Sequence, residues 1–350
     1  METNFKLLVL SVFLLACTSL NAQELGEFKP KSEGYKSNKV GDGSKKIFIS
    51  SFTINFEIYK EAVDERKATG FGRTITNAAK AKAAVGLATL NGDAIQETAD
   101  KLYAEFLTDF KNNGFEIITI DEAEKTEVFK GWEKATGPKL FETDMTGIIA
   151  VVPTNYSYFY KERNAFSSKM AGFDKTPQNL SKELGDALIA DVSLVFVFSE
   201  LGTDWNIGDQ AKVKLFVNYR LADAYAVSDE KTGKGITAMF DKSRQSVGLS
   251  SHVNFTRGKL SIGGSPEAQY LGAMKSDLEI DGALEKEKVL AYSSRTRATA
   301  TLMNPVVSIR GNNYSETTKW LEPDGLKYAE GMYLAGKKML SHHVSEILNK

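Results

Sequence analysis

The chain has 350 residues, of which 42% are hydrophobic and 25% charged, with a net charge of -1. That composition suits a globular fold with a sizeable core, and the balanced charge offers no basic surplus for nucleic acid or an acidic membrane surface. The single cysteine, Cys17, excludes an intrachain disulfide, and three histidines leave little for imidazole or metal chemistry.

Lys6 precedes an apolar run over residues 7–15 that is too short to span a bilayer, and the small residue Ala22 follows where a signal peptidase would cut. This predicts a secretory signal cleaved after Ala22. Leu14-Leu15-Ala16-Cys17 gives a second reading, a lipobox that would leave Cys17 lipidated and attach the protein to a membrane. Residues 23–45 are polar and glycine-punctuated, which predicts a flexible leader. A single α+β domain is expected over residues 46–350, with insertions near 59–91 and 121–177.

Residues 46–58 read as a strand: Phe48, Phe52, Ile54, Phe56 and Ile58 share one parity, and Ser51, Thr53, Asn55 and Glu57 fill most of the other. One face should be buried and the other wet or half covered. Gly70, Gly72 and Arg73 precede an alanine-rich stretch, residues 77–90, that suits a helix by propensity. They read either as an anion cradle near a helix start or as an ordinary glycine-bearing loop. Next, Asp93 and Gln96 form a capping-box pattern ahead of Ile95, Ala99, Leu102, Tyr103, Phe106 and Phe110, a stripe of period 3.6. Gly114 ends this helix, and Phe115, Ile117, Ile118 and Ile120 follow as a short strand.

Asp121 opens a second expected helix carrying Ala123, Val128 and Trp132 on one side, and residues 147–152 form an apolar strand. Tyr156, Tyr158 and Tyr160 then alternate at strand spacing. They read as a ligand or partner surface, or as a cross-strand ladder covering a core. Thr176-Pro177 starts a helix through Leu180, Leu184, Ala187 and Leu188 that runs into Asp191, and residues 192–198 make a central strand covered on both faces. Alternation over 213–221 and a turn at 229–233, leading to a partner strand near 236–240, predict a hairpin. Residues 245–264 and 289–303 add strands. A long helix over 324–348 closes the chain, with Leu326, Ala329, Tyr333, Leu340, Val344 and Ile347 on its apolar face.

The expected class is therefore α+β, a mixed β-sheet with helices packed on one face, extended by antiparallel hairpins and closed by a long C-terminal helix. Five pieces resemble a known family: Lys46-Ile47-Phe48-Ile49-Ser50, Asn113-Gly114-Phe115-Glu116-Ile117, the helix near Asp121, Ala190-Asp191-Val192, and Val217-Asn218-Tyr219-Arg220-Leu221 before Thr232-Gly233. Their order resembles the periplasmic α/β domain of curli-secretion-channel-type outer-membrane proteins and its Tol-associated relatives. The resemblance implies a non-catalytic module of an envelope assembly, in which some members insert hairpins into a ring-shaped barrel. Residues 247–262 and 289–303 would supply such strands here.

Asp144, Glu162, Asp191, Glu200, Asp204 and Asp223 are the carboxylates that could flank a glycosidase cleft, with Asp191 the most suggestive at the start of a buried strand; it also suits a turn. His342 and His343 are adjacent and diverge on a helix, and His252 has no partner at metal spacing. No catalytic, cofactor or metal-ligating residue is expected. The function expected is that of an exported binding or assembly protein of the periplasm or outer membrane, or a secreted one, whose partner is an envelope protein or a second copy. A carboxylate-dependent hydrolase acting on carbohydrate and a secretion-channel component are the alternatives.

Overall fold

The computed structural model describes residues 23–66, 79–143, 147–160, 176–202, 213–228, 246–260, 264–290, 301–302 and 318–349. Eleven strands form one mixed sheet: β1 (Pro30–Glu33), β2 (Lys46–Glu57), β3 (Glu116–Ile117), β4 (Lys139–Glu142), β5 (Ile148–Val152), β6 (Leu188–Leu201), β7 (Lys214–Leu221), β8 (His252–Arg257), β9 (Ala268–Met274), β10 (Leu278–Glu279) and β11 (Glu287–Leu290). The main path runs β1-β9-β8-β6-β2-β5-β4. β6 runs parallel to β2 on one edge, and its other edge is shared by β8 and then β7. At the changeover the Ser251 hydroxyl accepts the Val195 N–H at 2.9 Å while Ala222 N–H donates to the Val195 carbonyl at 2.8 Å. No backbone group of Val195 is therefore stranded where one partner leaves and the next arrives.

Two long helices, α1 (Gly92–Asn112) and α4 (Gly325–Leu348), cover one face of the sheet. Leu102, Phe106 and Phe110 of α1 and Met332 and Met339 of α4 share a cluster with Phe52, Ile54 and Phe56 of β2 and Val192, Leu194 and Phe196 of β6. Two short helices, α2 (Ile120–Ala123) and α3 (Thr176–Glu183), lie on the opposite face against Phe48 and Ile189. The class is α+β. Both strands that follow a helix, β3 and β6, lie in the same sheet, one on each side of β2.

Several local expectations are corrected. The α1 N-cap is Asn91, whose side chain accepts the Ala94 N–H, and Gln96 instead donates to Asp100 and to the Val152 carbonyl. Gly114 adopts φ 78° just past the helix, the left-handed conformation that stops it. Residues 79–87 of the alanine-rich stretch form a strand, Ala79–Leu87, between Tyr59–Arg66 and Thr318–Leu321. Tertiary pairing overrides propensity there, and Gly86 leaves room for the Trp320 ring, which a Cβ would meet at 2.4 Å. Only Glu116–Ile117 of the expected 115–120 strand pairs, and Thr119 caps the short α2 with a capping box from Glu122. The helix before β6 ends at Glu183, so Ala187 and Leu188 belong to the approach and first residue of the strand and Asp191 lies inside it. In α4 the Leu326 side chain is 67% exposed, and Tyr328, Met332 and Met339 carry the buried face.

The segment expected to be a flexible leader is a strap. Leu25 bridges to Ile280, β1 pairs antiparallel with β9, and Val40 is fully buried. The Arg257 guanidinium collects the carbonyls of Val40, Ser44 and Asp186 at 2.8, 3.1 and 2.7 Å. Backbone pairing and one buried arginine hold the strap, so its polar composition does not reveal it. Ala224–Ser228 pairs with Ser246–Ser250, while the partner strand expected near 236–240 lies outside the described residues. His252–Arg257, within the stretch considered for a barrel, sits inside the main sheet between β6 and β9. No helix among the described residues is long and apolar enough to cross a membrane.

Candidate functional site

Along β6 the face turned away from α1 and α4 changes character. Ile189 packs with Ala123, Phe129 and Leu180, and Val195 and Val197 pack with Ala222 and Tyr225. Between these two clusters the same face carries Asp191 and Ser193. Asp191 sits opposite Ser51 of β2 and Asn254 of β8, and Ser193 opposite Thr53 and His252. Two rows of three polar residues thus make a floor across three strands, with Asn55 one place further along opposite Val195.

A bulge aligns this floor. The β2–β6 register shifts between Ala190 and Asp191, with Ser50 the extra residue and its hydroxyl donating to the Ala190 carbonyl at 2.8 Å. Phe48 and Phe52 share a parity in sequence but therefore pack in different clusters, on opposite faces. Beyond the bulge Ser51, Thr53 and Asn55 come into line with Asp191 and Ser193.

Side chains of Ser51, Thr53, Asn55, Ser193 and Asn254 make no hydrogen bond among the described residues, although Asn55 and Ser193 are only 7% and 9% exposed. Ser51, Thr53 and Asn254 are half-buried, and no polar atom of the five is both buried and unpartnered, so all five can be met by water or a ligand. Asp191 Oδ2 lies 3.3 Å from His252 Nε2, and His252 Nδ1 lies 3.1 Å from the Ser250 carbonyl. Burial pushes the imidazole down, but the Asp191 hydrogen bond and charge, with the Ser250 carbonyl, outweigh it and raise the pKa above 6.5. The Asp191 carboxylate and the Ser250 carbonyl both accept, so a ring that meets both donates from both nitrogens, and the Ser250 hydroxyl lies 3.4 Å from Nδ1. The pair ties β6 to β8 across the floor.

Sequence reasoning weighed Asp191 and His252 separately, and the fold brings them together. Asp191 and Glu200 lie on the same strand, nine residues and roughly 30 Å apart at about 3.3 Å per residue. They cannot act as a glycosidase pair, whose carboxyls lie about 5–10 Å apart. The Asp223 N–H is held by Asp277 at 2.8 Å, and Asp144, Glu162 and Asp204 lie outside the described residues.

The tyrosine row lies at a different place. β2 pairs with β3 at residues 46–47 and with β5 at residues 54–57, leaving residues 48–53 of that edge without a strand among those described. Tyr156 fills the interval: it is 2% exposed, and its hydroxyl reaches the Ile49 carbonyl at 3.4 Å. Tyr158 stacks on Tyr156 at 6.0 Å, Tyr160 follows at 6.3 Å, and the Tyr160 hydroxyl donates to Glu133. Tyr103 joins the row at 5.3 Å from Tyr156, its phenol pushed up to about 12 by burial. A cleft of about 540 Å³ opens beside Tyr103, Lys111, Glu116, Asn155 and Tyr156. Gly70, Gly72 and Arg73 lie outside the described residues. No group of three or more His, Cys, Asp or Glu side chains suited to a metal occurs among the described residues.

A scan against protein-family models finds no match, and searches of curated proteins and of solved structures find none either.

Proposed function

We propose that this chain is an exported, non-catalytic cell-envelope protein that binds a ligand or partner across the polar floor of β2, β6 and β8. One observation carries the reading: five polar side chains, contiguous on one face of the sheet, make no hydrogen bond among the described residues, and their polar atoms stay open to an external partner. A ligand that covered these groups without pairing them would lose roughly 1–3 kcal/mol for each, so the row selects for a polar partner. Export rests on the apolar run over residues 7–15 and on Ala22, and the resemblance to envelope-assembly domains points to the same compartment. The aromatic cleft at Tyr103 and Tyr156 is a second surface on which a partner could rest.

The experiment combines cell fractionation with a photo-crosslinking residue at Thr53. Recovery in the envelope fraction, with a crosslinked product that needs the folded chain, supports the proposal. Recovery in the cytosol, or turnover of a small molecule that disappears in Asp191→Asn, overturns it.

A further inference from the structure

We infer that the ligand of this floor is a neutral polyhydroxylated chain, an oligosaccharide laid across β2, β6 and β8. The inference rests on the binding role proposed above and adds the chemical class. Serine and threonine hydroxyls and asparagine amides each donate and accept, and so do sugar hydroxyls; networks between such groups can satisfy every member. On the floor, Ser51, Thr53 and Ser193 offer hydroxyls, Asn55 and Asn254 offer amides, and none of the five makes a hydrogen bond among the described residues. Strands about 4.8 Å apart and same-face residues about 6.6 Å apart along each strand set these groups on a grid of sugar-ring scale.

Charge points the same way. The only ionisable members, Asp191 and His252, face each other at 3.3 Å, so the floor offers no Lys or Arg to an anionic ligand and its one carboxylate already has a partner. Asp191 Oδ2 is engaged and Oδ1 is not, and the side chain remains 43% exposed, leaving an acceptor for neighbouring hydroxyls of one ring. A peptide adding as a strand would need a free edge, whereas β6 is paired on both edges at this level. A protein partner would seek apolar and aromatic anchors at its centre. Here the apolar residues on either side, Ile189 and Val195, are closed within their own clusters.

The test titrates the full mature chain with chito-, cello- and malto-oligosaccharides by calorimetry, with a polyanionic oligosaccharide and an extended peptide as comparison probes. Saturable binding of at least one neutral oligosaccharide is expected. Ser193→Val and Asn254→Leu should each weaken it about tenfold, the loss of roughly one hydrogen bond, with melting temperature and the Tyr103–Tyr156 cleft unchanged. Asn254→Gln, which keeps the amide, should retain more binding than Asn254→Leu. Absence of binding to all three neutral series, binding of the polyanion or peptide alone, or affinity indifferent to both floor variants overturns the inference. The envelope crosslink at Thr53 can still succeed in those cases, so failure of the ligand class and failure of the binding role remain distinguishable.

Discussion

His343 is fully buried on α4, where its Nε2 lies 3.1 Å from the Ala273 carbonyl and its Nδ1 2.8 Å from the Tyr270 hydroxyl. A carbonyl only accepts, so Nε2 carries the proton and Nδ1 accepts from Tyr270 in the neutral ring. Burial, followed by neighbouring His342, lowers the pKa from 6.5 to about 4. The unfolded chain takes up this proton below pH 6.5 and the folded chain does not, so stability is full above 6.5 and is lost as pH falls toward 4. The loss should reach about 3 kcal/mol by urea denaturation across that window, and His343→Gln should flatten it. His252 has the opposite sign: its pairing with Asp191 stabilises below 6.5 and fades as pH rises through the raised folded value. Solvent access to both partners keeps that contribution to well under about 1 kcal/mol. Glu57, also fully buried, accepts the N–H groups of Phe198 and Ser199 and the hydroxyls of Ser199 and Tyr225. Glu57→Ala strands two backbone donors and should cost on the order of 3 kcal/mol, with Tyr225→Phe costing less, both read from denaturation midpoints.

Helix α1 shows how an element is set by its ends and its stripe. Asn91, not Asp93, caps it, so Asn91→Ala should cost about 1 kcal/mol and Asp93→Ala much less, measured as changes in melting temperature. The stripe itself was readable, since Ile95, Ala99, Leu102, Phe106 and Phe110 are all buried at helical spacing. Phe106 is flanked by Phe52, Phe110 and Phe255 at 5.7, 5.2 and 6.4 Å, and Phe106→Ala should cost roughly 3–5 kcal/mol. Exposed Glu97 provides the control, with an expected change within about 0.5 kcal/mol on substitution by alanine. The Ala79–Leu87 strand went unread because alanine and lysine favour helix in isolation, whereas pairing on both sides is decided by distant residues.

Across the whole molecule, the strap closes the β9 edge. Deleting residues 24–33 should expose the backbone groups of Leu271, Gly272, Ala273 and Met274, speed their amide hydrogen exchange, lower the melting temperature and promote self-association. Unchanged exchange at β9 would show that β1 does not protect that edge. β6 also acts at this scale: it joins β2, β7 and β8, places the core under α1 and α4 on one face, and carries the polar floor on the other.

The sequence alone determined what depends on neighbours along the chain: the stripe and glycine stop of α1, the parity of β2 past residue 50, the near-continuous apolar run of β6, the long final helix and the α+β class. Those signals are local, because helix and strand periods put successive side chains on fixed faces. Only the tertiary structure decided which face Phe48 took, since a one-residue bulge at Ser50 reverses parity without a mark in composition. It also decided that Asp191 and His252, 61 positions apart, meet, and that three strands put their polar residues on one floor. Those facts belong to strand register, and register is set by pairing between segments far apart in the chain.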